Sequence, residues 1–300
     1  PRAARGFEPG QFYRMQSFER HAAKIDGTPL VMEGIALTGA SMDVEEGLLS
    51  TIVLEMGASS KLCAHLSPGD PVVLMGPTGR PSEIAPNESV VLVGGGLGNA
   101  VLFSIARAFR AAGSRVLYVA GYRDSAMLFK REEIEAATDQ VIWATDAGAP
   151  IEPARPQDVH FRGNIVEAML GYARGELGEV RVPLSEVDRL LVIGSDGMMN
   201  AVARARHGVL APYLKAGHAA IGSINSPMQC MMKEVCAQCL QRHVDPVTGE
   251  EHIVYSCFDQ DQPLDRVDFA HLKQRLRQSS VSEKLSDLWL ARLTASAAAE

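Results

Sequence analysis

S-V-V-L-V-G-G-G-L-G-N-A-V-L-F-S-I-A-R-A-F-R-A-A-G, residues 89–113, establishes the fold class of this chain. An uninterrupted run of valine and leucine bounded by glycine is a strand buried on both faces. Gly94 to Gly98 make a turn, and Val101, Leu102, Ile105, Ala106 and Phe109 then recur on one helical face until Gly113 stops the pattern. Strand, glycine turn and helix open a βαβ unit. The alternation continues with a strand at R-V-L-Y-V-A-G (115–121), a helix near residues 125–137 and a third strand at Q-V-I-W-A-T (140–145). N-I-V-E-A-M-L-G-Y-A-R (164–174) reads as a helix, R-L-L-V-I-G (189–194) as a strand, and H-A-A-I-G-S (218–223) as the last strand. Such alternation specifies a parallel sheet with helices on its faces.

Residues before about 85 read differently. G-L-L-S-T-I-V-L-E-M (47–56) and P-V-V-L-M-G-P-T-G (71–79) are short strands, the second introduced by the turn residues Pro68 and Gly69. Short strands at this spacing predict a barrel or sandwich, joined to the α/β part by the Pro-rich linker R-P-S-E-I-A-P-N-E-S (80–89). Three hundred residues are enough for about two cores. With 46% hydrophobic residues, 22% charged residues and a net charge of −7 from interspersed charges, the composition argues against nucleic acid or an anionic membrane as the main partner. No apolar run approaches membrane-spanning length, and the cysteine usage suits a reducing, cytoplasmic setting. The chain opens on Pro1 rather than Met, which leads us to expect an excised piece or a processed chain.

Six motifs carry chemistry. Gly94 to Asn99 sit where a phosphate-binding turn belongs, with helix N–H groups facing the anion; a plain tight turn is the alternative. I-G-S-D-G-M-M-N (193–200) repeats the arrangement at a later strand end, where ligands bind in open α/β folds, although Met198 and Met199 serve equally as core. Asp146, after the third strand, either binds a cofactor hydroxyl or amide or caps its turn. At the end of the second strand, Arg123 suits a 2′-phosphate and Asp124 a 2′-hydroxyl, unless both are surface charges. In the β-rich part, Gly57, Ser59 and Ser60 precede a short helix and read locally as an ordinary cap. The sixth motif is Cys230, Cys236, Cys239 and Cys257, spaced C-x5-C-x2-C-x17-C. Four thiolates in this pattern suit a [2Fe–2S] cluster ahead of zinc, which usually shows two C-x2-C pairs, and ahead of buried or paired thiols. Cys63 stands apart as a small buried hydrophobe. His207, His218, His243 and His252 are scattered, and no catalytic acid–base pair is expected.

The combination of P-G-Q-F (9–12), L-M-G-P-T-G (74–79), V-G-G-G-L-G (93–98), A-T-D-A-G (144–148), I-G-S-D-G-M-M (193–199) and M-Q-C ahead of the cysteine loop resembles the ferredoxin–NADP reductase superfamily. Within it, the chain resembles iron–sulfur flavoprotein electron-transfer subunits: that of dihydroorotate dehydrogenase, and the small subunits of NADH-dependent ferredoxin:NADP oxidoreductase and sulfide dehydrogenase. The resemblance covers roughly residues 8–262. It implies an FAD-binding β-barrel over residues 1–85, lacking its first strand, and an α/β NAD(P)-binding domain over 86–224. It further implies a [2Fe–2S] segment over 225–262, with a helical tail over 263–300 that packs on the body, docks a partner or leads into a fused domain. FAD would lie on Gly34, Ile35, Ala36, Leu37 and Thr38 and on Gly57, Ser59 and Ser60. NAD(P)H would meet Gly95, Gly96, Gly98, Asn99, Arg123, Asp146, Gly194, Ser195, Asp196 and Met198, and the four cysteines would hold the cluster. The family's R-x-[YF]-[ST] flavin motif is replaced by M-E-G-I-A-L-T (32–38), so its arginine is lost, and Arg14 is the substitute we expect. The implied activity is electron transfer between NAD(P)H, FAD and the cluster to or from a glutamate-synthase-like or dihydroorotate-dehydrogenase-like partner. A zinc-containing nucleotide-binding regulatory module and a stand-alone NAD(P)H reductase with a soluble acceptor are the alternatives.

Overall fold

The continuous apolar runs become strands of one large sheet, because only a strand covered on both faces buries every side chain. The structure, a computed structural model, describes residues 6–32, 34–55, 57–224, 236–278 and 280–297. The first strands are β1 (Phe12–Ser17), β2 (Lys24–Ile25), β3 (Thr28–Pro29), β4 (Ile35–Asp43), β5 (Leu48–Thr51) and β6 (Val72–Thr78). The large sheet uses β7 (Ser89–Gly95), β8 (Arg115–Tyr122), β9 (Gln140–Thr145), β10 (Val159–Arg162), β11 (Arg189–Ile193) and β12 (Ala219–Ser223). Beyond them lie β13 (Leu240–Val244), β14 (Glu251–Tyr255) and β15 (Asp261–Pro263). Helices α1 (Ala58–Lys61), α2 (Asn99–Ala111), α3 (Arg131–Ala136) and α4 (Ile165–Ala173) precede α5 (Asp196–His207), α6 (Phe269–Arg277) and α7 (Ser280–Ala297).

The large sheet runs β10-β9-β8-β7-β11-β12-β15. All its pairs are parallel except β12 with β15, so the expected parallel sheet is a mixed one. Alternation along β7 divides the core. Val90 and Leu92 pack with Val101, Leu102, Ile105 and Phe109 of α2. Val91 and Val93 face the other layer, with Met169 of α4 and Val202 of α5.

The N-terminal sheet runs β5-β4-β1-β6 and is antiparallel throughout. The sequence predicts a barrel here; the structure has no closed one. Among the described residues β5 and β6 remain edges, because four strands are too few to curl around a side-chain interior and pair with each other. One face of this sheet sends Met15 and Ile35 against Leu30, Met32, Leu62 and Leu290. Phe12 and Ala36 pack with the buried Cys239 and Cys257. Helix α2 runs against β4, so the two sheets share a boundary at that strand.

Both tail helices form. Leu272 and Leu290 are buried, and Lys61 Nζ lies 3.0 Å from Asp287 Oδ2. Leu285 and Leu288 are exposed, since α7 lies on the N-terminal sheet along its other side. No helix among the described residues is long and apolar enough to cross a membrane.

Candidate nucleotide, flavin and thiol sites

The glycine turn between β7 and α2 has a specific backbone need at two positions. Gly96 adopts φ +54°, the left-handed region that a side chain disfavours. A Cβ on Gly98 would strike the carbonyl oxygen of Ile193, so this turn and the one after β11 touch backbone to backbone. The thioether of Met198 fills the crevice between Gly95 and Gly194. Thus Gly95, Gly98, Gly194 and Met198 converge on one point at the carboxyl edge of the sheet, and α2 begins there without a side-chain cap. Free helix N–H groups at such an edge suit a phosphate.

Asn99 turns its side chain inward. Its side chain is buried: Nδ2 donates to the carbonyls of Gly96 (2.9 Å) and Gly121 (3.2 Å), and Tyr118 Oη donates to Oδ1 (3.2 Å). The amide therefore braces the turn from inside. Ser195 caps α5, accepting from the Met198 N–H at 3.2 Å. Asp124 caps its own turn through Ala126 N–H at 2.9 Å, whereas Arg123 and Asp146 stand exposed at the sheet edge, held there by backbone hydrogen bonds, with no side-chain hydrogen bond or ion pair to the described residues. Of the two residues read at the β8 end, the cation is the one left open. Asp196 lines a groove of about 520 Å³ together with Arg204 and Lys273.

The flavin stretch starts at Gly34, just before β4, and runs into that strand. Gly34 and Leu37 are buried, Ile35 and Ala36 half-buried, and Thr38 pairs with Phe12. Arg14 stands opposite Ala36 in the ladder, and its Nε is buried with no hydrogen-bond partner. A buried cationic donor without an acceptor is costly, and a bound anion is what would satisfy it. The residues present therefore fit an anionic cofactor at β1 and β4. Gly57, Ser59 and Ser60 are half-buried, with Ser60 Oγ and Gly57 bonded reciprocally at 3.0 Å, which is the ordinary helix cap of the local reading. Cys63 is half-buried against Met32 Sδ at 3.1 Å, and burial pushes its thiol pKa up.

Cys239 and Cys257 come together in the core, the Cys257 N–H donating to Cys239 Sγ at 3.4 Å. Cys236 is half-buried and Cys230 lies outside the described residues. Among the described residues no three His, Cys, Asp or Glu side chains are arranged to hold a metal, so they assemble only part of a four-thiolate set. Sequence reading missed the wall around these thiols, Phe12 and Tyr255, because apolar side chains distant in sequence give no signal of sharing a site. The histidines are structural or exposed: His243 is buried against Gln262, and His218 accepts from Arg206 Nε at 2.9 Å.

An antiparallel sheet set against a doubly wound sheet defines a ferredoxin reductase-like fold. A chain of a solved NADH-dependent reduced ferredoxin–NADP oxidoreductase, described in connection with flavin-based electron bifurcation, superimposes with a TM-score of 0.74 and 25% identity, covering 97% of this chain and 90% of that one. The chain is homologous to the electron-transfer subunits of dihydroorotate dehydrogenase B. The Thermotoga maritima homologue of that subunit is 33% identical over 50% of this chain and 49% of its own length. An uncharacterized protein of Rickettsia prowazekii is 30% identical over 96% of this chain, which corresponds to only 30% of that protein. The chain thus spans half or less of the length of these two curated relatives. No family model matches it.

Proposed function

We propose that this chain is the electron-transfer part of a larger oxidoreductase, moving electrons between NAD(P)H, FAD and a [2Fe–2S] cluster to or from a catalytic partner. The partner would be a separate subunit or a fused domain, of the glutamate-synthase or dihydroorotate-dehydrogenase kind. Residues 1–85 form the flavin part in this reading, 86–224 the NAD(P) part, 225–262 the cluster segment and 263–300 the tail toward the partner. The observation that carries it is the position of the β1–β4 pair. Helix α2, headed by the glycine turn, packs on β4, while Phe12 of β1 and Ala36 of β4 pack on Cys239 and Cys257.

A bound flavin would supply the exchange between hydride and single-electron chemistry. The chain's own residues position and shield. Gly95, Gly98, Gly194 and Met198 shape the crevice for the nucleotide pyrophosphate, with Gly96 setting the turn and Ser195 and Asp196 opening α5 beside it. Arg123 and Asp146 are free at the edge for the ribose or its phosphate, and Asn99 holds the turn rigid. Gly34 to Thr38 and Arg14 line the flavin side, with Gly57, Ser59 and Ser60 as its second contact. Phe12 and Tyr255 keep water from the two buried thiols. The cluster itself is proposed from the cysteine spacing and the Cys239–Cys257 contact.

The test is the visible spectrum of anaerobically purified protein, with iron, sulfide, zinc and flavin assayed on the same sample. Flavin bands and a red-brown cluster shoulder, both bleached by NADH or NADPH, are expected. Colourless protein with stoichiometric zinc would overturn the redox reading in favour of a zinc-containing regulatory module.

A further inference from the structure

We infer that Arg14 and Gly34 work as one anion-binding device. The guanidinium on β1 reaches over β4, through space that Gly34 leaves vacant, to grip the pyrophosphate of the bound flavin dinucleotide. This rests on the flavin reading above and adds to it a steric coupling between two strands.

Three observations carry it. Arg14 stands opposite Ala36 in the antiparallel ladder, which brings its side chain across β4 at the level of the flavin stretch. A Cβ on Gly34 would collide with Nε, Cζ and Nη2 of Arg14, so the guanidinium occupies the volume that any other residue at position 34 would claim. The Nε is buried and no acceptor reaches it, and Arg14 takes part in none of the ion pairs of the described residues. An arginine that only packed its stem would keep its head in water or pair it with a carboxylate. A planar fork held over a bare strand, with an open donor, is matched to two phosphate oxygens.

The motif M-E-G-I-A-L-T then has a physical account. A β4 strand carrying its own arginine needs no help from β1; one carrying glycine has room for a guanidinium from the neighbouring strand. Charge and space are exchanged between the two positions, and neither substitution works alone.

The experiment is equilibrium binding to flavin-stripped protein, followed by flavin fluorescence, with FAD and riboflavin as the two probes. Riboflavin carries the ring but no phosphate. Arg14→Ala and Gly34→Ala should each weaken FAD binding by about tenfold or more, the scale of a lost charge-assisted hydrogen bond. Riboflavin binding should be unchanged in both. The double variant should be no weaker than the weaker single one, because both remove the same contact. Arg14→Lys should fall between wild type and Arg14→Ala, since an ammonium keeps the charge without the fork. Wild-type FAD affinity in Arg14→Ala, or equal losses for FAD and riboflavin, would overturn the inference while leaving the flavin reading in place. Failure of the wild-type protein to bind FAD at all would overturn both.

Discussion

Asn99 closes the glycine turn with its side chain directed inward. Replacing it with Ala removes the side-chain donor to the Gly96 and Gly121 carbonyls and one of the two acceptors of Tyr118 Oη in one step. Gly96 O keeps the Asn99 backbone N–H and Tyr118 Oη keeps the Asn99 carbonyl at 3.3 Å, so the Gly121 carbonyl is the group that loses its side-chain donor, and Asn99→Ala should lose about 1–3 kcal/mol of stability. Thermal unfolding followed by circular dichroism checks this, and a change within about 0.5 kcal/mol, the usual size for a neutral surface substitution, would show that the amide is not a brace. The glycines around Asn99 were legible in the sequence because their need is local: a strand end, a left-handed turn and a helix start lie within a few residues. The amide's real partners were not, since Gly121 and Tyr118 belong to the next strand and meet it only once the sheet forms. Sequence therefore located the turn but carried no sign of the bonds by which the Asn99 side chain holds it.

At the scale of elements, legibility followed burial pattern. β7, β8, β9, β11 and β12 are apolar runs and were read directly, whereas β10, β13, β14 and β15 mix polar and apolar residues over three to five positions and carry no periodic signal. The barrel expectation failed because short strands specify local extension and leave closure open. β13 shows how an unread element is tied down. His243 is buried, and its Nε2 lies 2.7 Å from Gln262 Oε1 on β15. Burial pushes its imidazole pKa below the usual value; nearby Arg266 and His252 act in the same direction, while the Gln262 bond and Asp259 oppose them. A folded pKa below the unfolded one means the unfolded chain binds more protons, so stability is present above about pH 6.5 and is lost as pH falls toward the lowered value. His243→Gln should remove that term. Melting temperature should then fall less between pH 7 and pH 5 in the variant than in the wild type, and parallel curves would assign the acid loss to other groups such as His218, whose pKa burial also lowers.

Across the whole molecule, residues 258–261 hold the two sheets and the cysteine segment in one arrangement. Gln260 is fully buried, and its Nε2 donates to the carbonyl of Gly10 (2.9 Å), ahead of β1, and to that of Arg80, after β6. Its own carbonyl accepts from Ile224 N–H at 2.7 Å, just past β12. Arg80 N–H donates to Phe258 O at 2.7 Å, and Ser82 Oγ donates to Asp261 Oδ2 at 2.5 Å. Any electron carriers bound on these parts would depend on this clasp for their spacing, since neither sheet alone spans from the glycine turn to the thiols. Gln260→Ala leaves the buried Gly10 carbonyl without this donor and removes the part-buried bond to the Arg80 carbonyl, a loss of about 1–3 kcal/mol. The loss should be local rather than global. Backbone amides of Arg80 and Ser82, which donate to Phe258 O and Pro9 O, should exchange with deuterium faster in the variant, while those inside β7, β8 and β9 keep wild-type protection. Uniform acceleration across the large sheet would mean that Gln260 supports the fold as a whole, and unchanged exchange at Arg80 would mean that the clasp holds without it.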